Sequence, residues 1–205
     1  MVSSICASNR PTFIPQVIAQ WKAQDYTDKE LVIVQNADQQ PALIPEGVVS
    51  VITSPGTVLG KKLNIGIAAA NGNLLHKWDD DDLYQPGFLT RGAAALADGR
   101  ADFCTWTRHL IQFQNEIRIV YWFGVGGSSI FTRKLTERCK YREIGHAVDS
   151  ALARDIVRAG FLVAGVYDEP TLFTYVRHNQ NMWQKRRNGE SVDDFLRNRS
   201  TPWKG

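Results

Sequence analysis

Four aspartates in a row, Asp79 to Asp82, follow Trp78 in a chain of 205 residues. Adjacent carboxylates repel one another at neutral pH, and Lys77 alone cannot balance four of them, so their placement at a strand end suits a hard divalent cation, Mn2+ or Mg2+. Along an extended chain, alternation puts Asp79 and Asp81 on one side, one to bind the metal and the other to reach a ligand held by it. The structural alternative is a solvated turn in which one aspartate caps the helix starting near Pro86. A second acid, Asp149, stands near the start of an expected helix, where a first-turn carboxylate is favoured by the helix dipole or serves as an N-cap. His146 lies three residues before it.

The elements that must position these groups alternate between strand and helix. Val2 to Ala7 reads as a strand, Pro15 to Gln24 as a helix with proline in its first turn, and Leu31 to Gln35 as a short buried strand. Val48 to Thr53 is a further strand, Val58 to Ala70 a helix closed by Asn71-Gly72, and Asn73 to Trp78 the strand that runs into the acidic turn. This order builds a mostly parallel, Rossmann-like sheet with helices on both faces, whose ligand site lies at the carboxyl ends of the strands. The second half is less regular and mixed. Gly87 to Ala97 reads as a helix, and Ala101 to Leu110 and Glu116 to Phe123 as a pair of strands. Gly124, Gly126 and Gly127 form a junction before Ser128 to Phe131, Ala147 to Ala159 is a helix ended by Gly160, and Phe161 to Val166 is a strand.

Composition excludes several classes. At 43% apolar and 22% charged, with 24 glycines and prolines spread as single breakers, the chain is neither collagen-like nor low-complexity nor disordered, and one α/β domain is expected. No apolar run reaches the roughly 18 residues of a membrane helix, and the N-terminus lacks a signal-like apolar stretch, so a cytoplasmic location is expected. Cys6, Cys104 and Cys139 are widely spaced and read as core thiols. The net charge of +3 is concentrated at the C-terminus, where seven basic residues face three acidic ones after Val176.

Four segments acquire a joint meaning from their order and intervals: Ser4-Ile5-Cys6-Ala7-Ser8-Asn9-Arg10-Pro11, Leu31-Val32-Ile33-Val34, Gly60 to Ala68, and Trp78 to Pro86. With Gly126 to Phe131, Val148 to Leu152 and Tyr175 to Asn181, they resemble the family-two glycosyltransferases of the GT-A fold over about residues 2–183. The resemblance implies metal-dependent, inverting transfer of a sugar from a nucleotide-diphosphate donor, by default a UDP-sugar, to an acceptor hydroxyl. It implies residues 1–85 as the donor half, 86–183 as the acceptor and base half, and 184–205 as a basic tail. Ala7, Ser8, Asn9, Arg10, Asn36, Lys61, Asn64, Asp79 and Asp80 are then donor-binding residues. Asp79, Asp81 and His178 are the metal ligands, and Asp149 is the base that deprotonates the acceptor.

Some positions depart from the family pattern. Gln35-Asn36-Ala37-Asp38 stands where an acidic pair is common, although an amide still offers a donor and an acceptor to a uracil edge. Ala7-Ser8 replaces a more usual Pro-Thr, and Val148 replaces a glutamate before the base. The acceptor reads as a glycan or as a hydroxymethylated base in DNA, and a non-catalytic nucleotide, glycan or nucleic-acid binding module is the alternative from another class. The tail, from Trp183-Gln184-Lys185-Arg186-Arg187 to Trp203-Lys204, fits either nucleic-acid contact or a solvated terminal helix in which Asp193 and Asp194 answer Arg197 and Arg199.

Overall fold

The computed structural model describes residues 1–121, 126–179, 181, 184 and 189–204. Its organising feature is the run Leu31-Val32-Ile33-Val34, buried on both faces in an interior strand of a sheet, as a continuous apolar run requires. In chain order the elements are β1 (Val2–Ala7), α1 (Ile14–Lys22), β2 (Lys29–Asn36), β3 (Val49–Thr53), α2 (Leu59–Ala69), β4 (Leu74–Lys77), β5 (Leu83–Tyr84) and α3 (Phe88–Ala94). There follow β6 (Phe103–Trp106), β7 (Arg108–Phe113), β8 (Glu116–Tyr121), β9 (Ser129–Thr132), α4 (Val148–Arg158), β10 (Val163–Val166), β11 (Phe173–Arg177), α5 (Val192–Arg197) and β12 (Ser200–Pro202).

The main sheet runs β10-β6-β9-β4-β1-β2-β3. Every neighbouring pair is parallel except those made by β9, which is antiparallel to both β4 and β6. Alternation divides its side chains between two cores. Leu31, Ile33 and Trp78 pack with Ile14 and Val17 of α1 and Phe88 and Leu89 of α3. Val32, Val34 and Leu75 pack with Leu63 of α2 and Val148, Leu152 and Ile156 of α4. Helices therefore cover both faces, as the sequence pattern implies, and all three cysteines are buried free thiols.

A second sheet, β12-β8-β7-β11-β5, differs from the sequence expectation. The stretch Ala101 to Leu110 is not one strand. The chain bends at Thr107, so β6 stays in the main sheet beside β10 while β7 opens the second sheet and pairs with β8 in the register Arg108↔Tyr121 to Phe113↔Glu116. The bend is anchored by the Thr107 N–H on the Val166 carbonyl at 2.9 Å and by buried Trp106, stacked on Phe88 with centroids 4.3 Å apart. The C-terminal segment is not a solvated helix either. Val192, Phe195 and Leu196 of α5 are buried against Ile111, Phe113 and Val120, and β12 extends the sheet. Its charges are also paired differently: Asp193 binds Arg177 at 2.8 Å, and Arg197 binds Glu116. Phe123, Gly124, Trp183 and Lys185 to Arg187 lie outside the described residues.

His109 of β7 is fully buried beside Phe173, and burial lowers its imidazole to about 4 in spite of its bond to the Trp106 carbonyl at 3.3 Å. Because the folded value lies below the unfolded one near 6.5, the unfolded chain takes up the proton first as pH falls. The resulting stability is complete above about 6.5 and is lost as pH drops toward 4. Replacing His109 with Gln should shrink the difference in unfolding free energy between pH 7 and pH 5, read by urea denaturation, by about 2 kcal/mol.

Candidate functional site

β1 and β4 lie side by side with Val2 opposite Leu74 and Ile5 opposite Lys77, so the loops that leave them meet at the same edge of the sheet. Ser8 Oγ and Arg10 donate hydrogen bonds to Asp80, Arg10 through Nε at 3.1 Å and through Nη2. The same Nη2 lies 2.9 Å from Asp81. One arginine thus neutralises two adjacent carboxylates and ties the loop after β1 to the loop after β4. Residues 80 and 81 form a turn instead of an extended run, so Asp79 and Asp81 engage different partners. None of the four aspartates caps α3, whose N-cap position is Gly87 with no side-chain bond.

Asp79 turns to Lys77, which reaches its two carboxylate oxygens at 2.8 and 2.9 Å. Withdrawal from water pushes the Asp79 carboxyl up to about 6, Lys77 pulling it down and Asp149 pushing it further up. Asp81 instead meets His178 Nε2 at 3.0 Å and accepts from Asn181 Nδ2 at 3.2 Å, so the segment after β11 closes this side of the site. Phe13 braces both sides, stacked on His178 and carrying Arg10 at 4.6 Å from its ring centre. Asp82 is buried and accepts the Val176 N–H at 2.9 Å, which binds the acidic turn to the second sheet. Its other oxygen finds no partner among the described residues, and burial raises its carboxyl well above the ordinary value.

Asp149 reaches this cluster from the far end of the chain. It lies in the first turn of α4, after Ala147 in the left-handed conformation (φ 56°), and makes no cap bond. Its Oδ2 is 3.0 Å from Lys77 Nζ. Lys77 is buried with a side chain only 5% exposed, and although burial opposes its charge, Asp149 and Asp79 hold its pKa well above the lysine value. Gly126 and Gly127 permit this convergence. A Cβ on Gly126 would overlap the Asp149 carboxylate, and one on Gly127 would stand 2.7 Å from both Asp79 Oδ2 and Tyr84 Oη. His76, neutral because burial lowers it to about 3, fixes Gly127 through its carbonyl at 3.0 Å. His146 is exposed.

The remaining expected donor-site residues are placed less uniformly. Ala7, Ser8, Asn9 and Arg10 line the end of β1, and Asn9 accepts from Lys62 at 2.7 Å. Lys62, buried and lowered by desolvation, is the α2 lysine that faces the site, whereas Lys61 is exposed. Asn64 is bonded in both directions to the backbone of Tyr141, a structural link on the α4 side. Asn36 is buried at the end of β2, held by Thr53 at 2.9 Å and by the Thr57 carbonyl at 3.2 Å. Reasoning from sequence passed over Lys62 and gave Lys77 only a balancing role. The available signal for Lys77 was its alternation with Leu75, which places a lysine on a core-facing side of β4.

Among the described residues no three His, Cys, Asp or Glu side chains gather around one point as a self-sufficient metal cage. Asp81 and His178 nonetheless offer one oxygen and one nitrogen within 3.0 Å of each other, a donor pair that fits a divalent cation sharing its other positions with a ligand.

The model of the family described as Glycosyl transferase family 2 matches residues 4–159. Comparison with curated proteins returns no match. Among solved structures, the chain is similar to Staphylococcus aureus TarS 1-349 in complex with UDP-GlcNAc (TM-score 0.68, 13% identity, 88% of this chain and 59% of that one). It is also similar to the mannosyltransferase PcManGT from Pyrobaculum calidifontis in complex with GDP-Man and Mn2+ (0.66, 17%, 88% and 58%). A third is glucosyl-3-phosphoglycerate synthase from Mycobacterium tuberculosis in complex with Mn2+, UDP and phosphoglyceric acid (0.63, 15%, 87% and 71%). The chain therefore has the GT-A fold and spans about three fifths of the length of the first two.

The contacts around Gly127 make a direct test of the site's packing. Gly127→Ala should lower stability by about 1–3 kcal/mol, since the added methyl meets Asp79, Tyr84 and Asp82, and thermal unfolding followed by circular dichroism measures it.

Proposed function

The chain belongs to glycosyl transferase family 2, and from that premise we propose that it transfers a sugar from a nucleotide-diphosphate donor, UDP-linked by default, to an acceptor hydroxyl with inversion. The observation that carries this reading is the meeting of Asp149 with the acidic turn through Lys77, 3.0 Å from one carboxylate and 2.8 Å from the other. Lys77 thereby ties the proposed base to the acidic turn, and a one-step displacement needs its base held in a fixed relation to the donor side.

Each residue has a task in this reaction. Asp81 and His178 would hold a divalent cation, Mn2+ or Mg2+, and Asp79 faces the donor beside them. When bound, the cation supplies a Lewis acid to the diphosphate leaving group. Arg10, released from Asp81, and Lys62 lie where they add positive charge near the phosphates. The loop from Ala7 to Arg10 and the Asn36 end of β2 line the nucleoside side. Asp149 takes the proton of the acceptor hydroxyl as its oxygen bonds to the anomeric carbon, while the bond from that carbon to the diphosphate oxygen breaks and its electron pair leaves with the nucleoside diphosphate.

Thermal unfolding in the presence of UDP-GlcNAc, UDP-glucose or GDP-mannose, with and without Mn2+, tests donor binding. One donor should raise the midpoint only with the metal, by the mass-action stabilisation of about 2.7 kcal/mol at a hundred times Kd. Asp81→Asn should abolish that shift; an unaltered shift would leave the acidic turn a structural element. Asp149→Asn should keep it, yet lower release of the nucleoside diphosphate by about 10²- to 10⁴-fold, as loss of a general base does. Full release from Asp149→Asn would refute its assignment as the base.

A further inference from the structure

Lys77 has an unusual position for a charged residue. It alternates with Leu75 on the face of β4 that packs against α2 and α4, where the neighbouring side chains are apolar. An ammonium removed from water in such a place is costly unless it is paired and hydrogen-bonded. Here its donors are shared between the Asp79 carboxylate and Asp149 Oδ2. Asp149 is constrained from the other side as well, because its carboxylate rests on Gly126 where no Cβ fits. Among the described residues its Oδ1 is buried without a partner, while the side chain as a whole is 28% exposed, so Oδ2 is the oxygen left for an incoming hydroxyl. That is also the oxygen that Lys77 holds.

We propose that Lys77 is a positioning residue for the transfer. It clamps Asp149 Oδ2 against the acidic turn, so that the base keeps one orientation and one distance from the donor carboxylate whether or not a donor is bound. This inference rests on the transferase reading above. Lys77 touches neither sugar nor acceptor, and it acts through the carboxylate whose free lone pair receives the proton.

The experiment compares wild type with Lys77→Met, Lys77→Arg, Asp149→Asn and the Lys77→Met/Asp149→Asn double variant. Release of nucleoside diphosphate from the donor that gives the metal-dependent thermal shift is measured, with water as acceptor. Lys77→Met should lower kcat by about a hundredfold, the cost of an ångström-scale misplacement, with donor KM changed less than about threefold. Lys77→Arg should recover part of the loss. In the Asp149→Asn background the methionine should cost nothing further, because the group it positions is gone. An equal loss in both backgrounds, a change confined to KM, or unchanged kcat in Lys77→Met would overturn the proposal. Absence from wild type of both a metal-dependent thermal shift and release with any donor would instead refute the transferase reading itself. If Lys77→Met does not fold, Gly126→Ala moves the same carboxylate with Lys77 intact and should show the same fall in kcat at constant KM; normal turnover in that variant would also overturn the proposal.

Discussion

The ammonium of Lys77 is the interaction on which the site depends. Without it, Asp79 and Asp149 would be two carboxylates facing each other in a partly desolvated space, an arrangement that Coulomb repulsion opens. With it, the first turn of α4 is joined to the end of β4, and the Gly126-Gly127 segment is threaded between them. The glycines follow from this junction: a methyl group at either place would overlap a carboxylate and force the groups apart. The His76 bond to the Gly127 carbonyl holds the same segment from the opposite core.

Arg10 does for the other half of the acidic turn what Lys77 does for the first. It joins Asp80 and Asp81 to the loop after β1, and Asp82 is satisfied from the second sheet through Val176. The four aspartates are thus divided among several partners: Lys77 for Asp79, Ser8 and Arg10 for Asp80, Arg10, His178 and Asn181 for Asp81, and the Val176 N–H for Asp82. This division explains how a tetrad of like charges can stand at the end of a buried strand in a folded protein. Asp81 is shared among Arg10, His178 and Asn181.

Much of the main sheet was legible in the sequence. β1 coincides with the expected Val2 to Ala7, and β2, β3, α2, β4 and α4 agree with their periodicities to within a few residues, because apolar spacing and breakers act between near neighbours. The second sheet was less so. Nothing local in Ala101 to Leu110 marks Thr107 as the point where one strand ends and another begins; the bend depends on β10, β11 and Trp106, which are supplied by tertiary packing. The C-terminal segment carried an amphipathic signal in Val192, Phe195 and Leu196, but its charged neighbours masked it.

The sequence by itself determined the order of the elements, the mostly parallel sheet with covered faces, and the acidic turn at the end of β4. Those are consequences of short-range periodicity and of residue types whose preferences hold wherever they occur. Only the tertiary structure decided which charges meet. Lys77 and Asp149 are 72 positions apart, and Asp81 and His178 are 97 apart. The choice of Lys62 over Lys61, and the use of Asn64 as a link to Tyr141, follow from the rotation of α2 about its axis. A helix sets that rotation by packing its whole apolar face, so no single residue in the sequence announces which neighbour will turn toward the site.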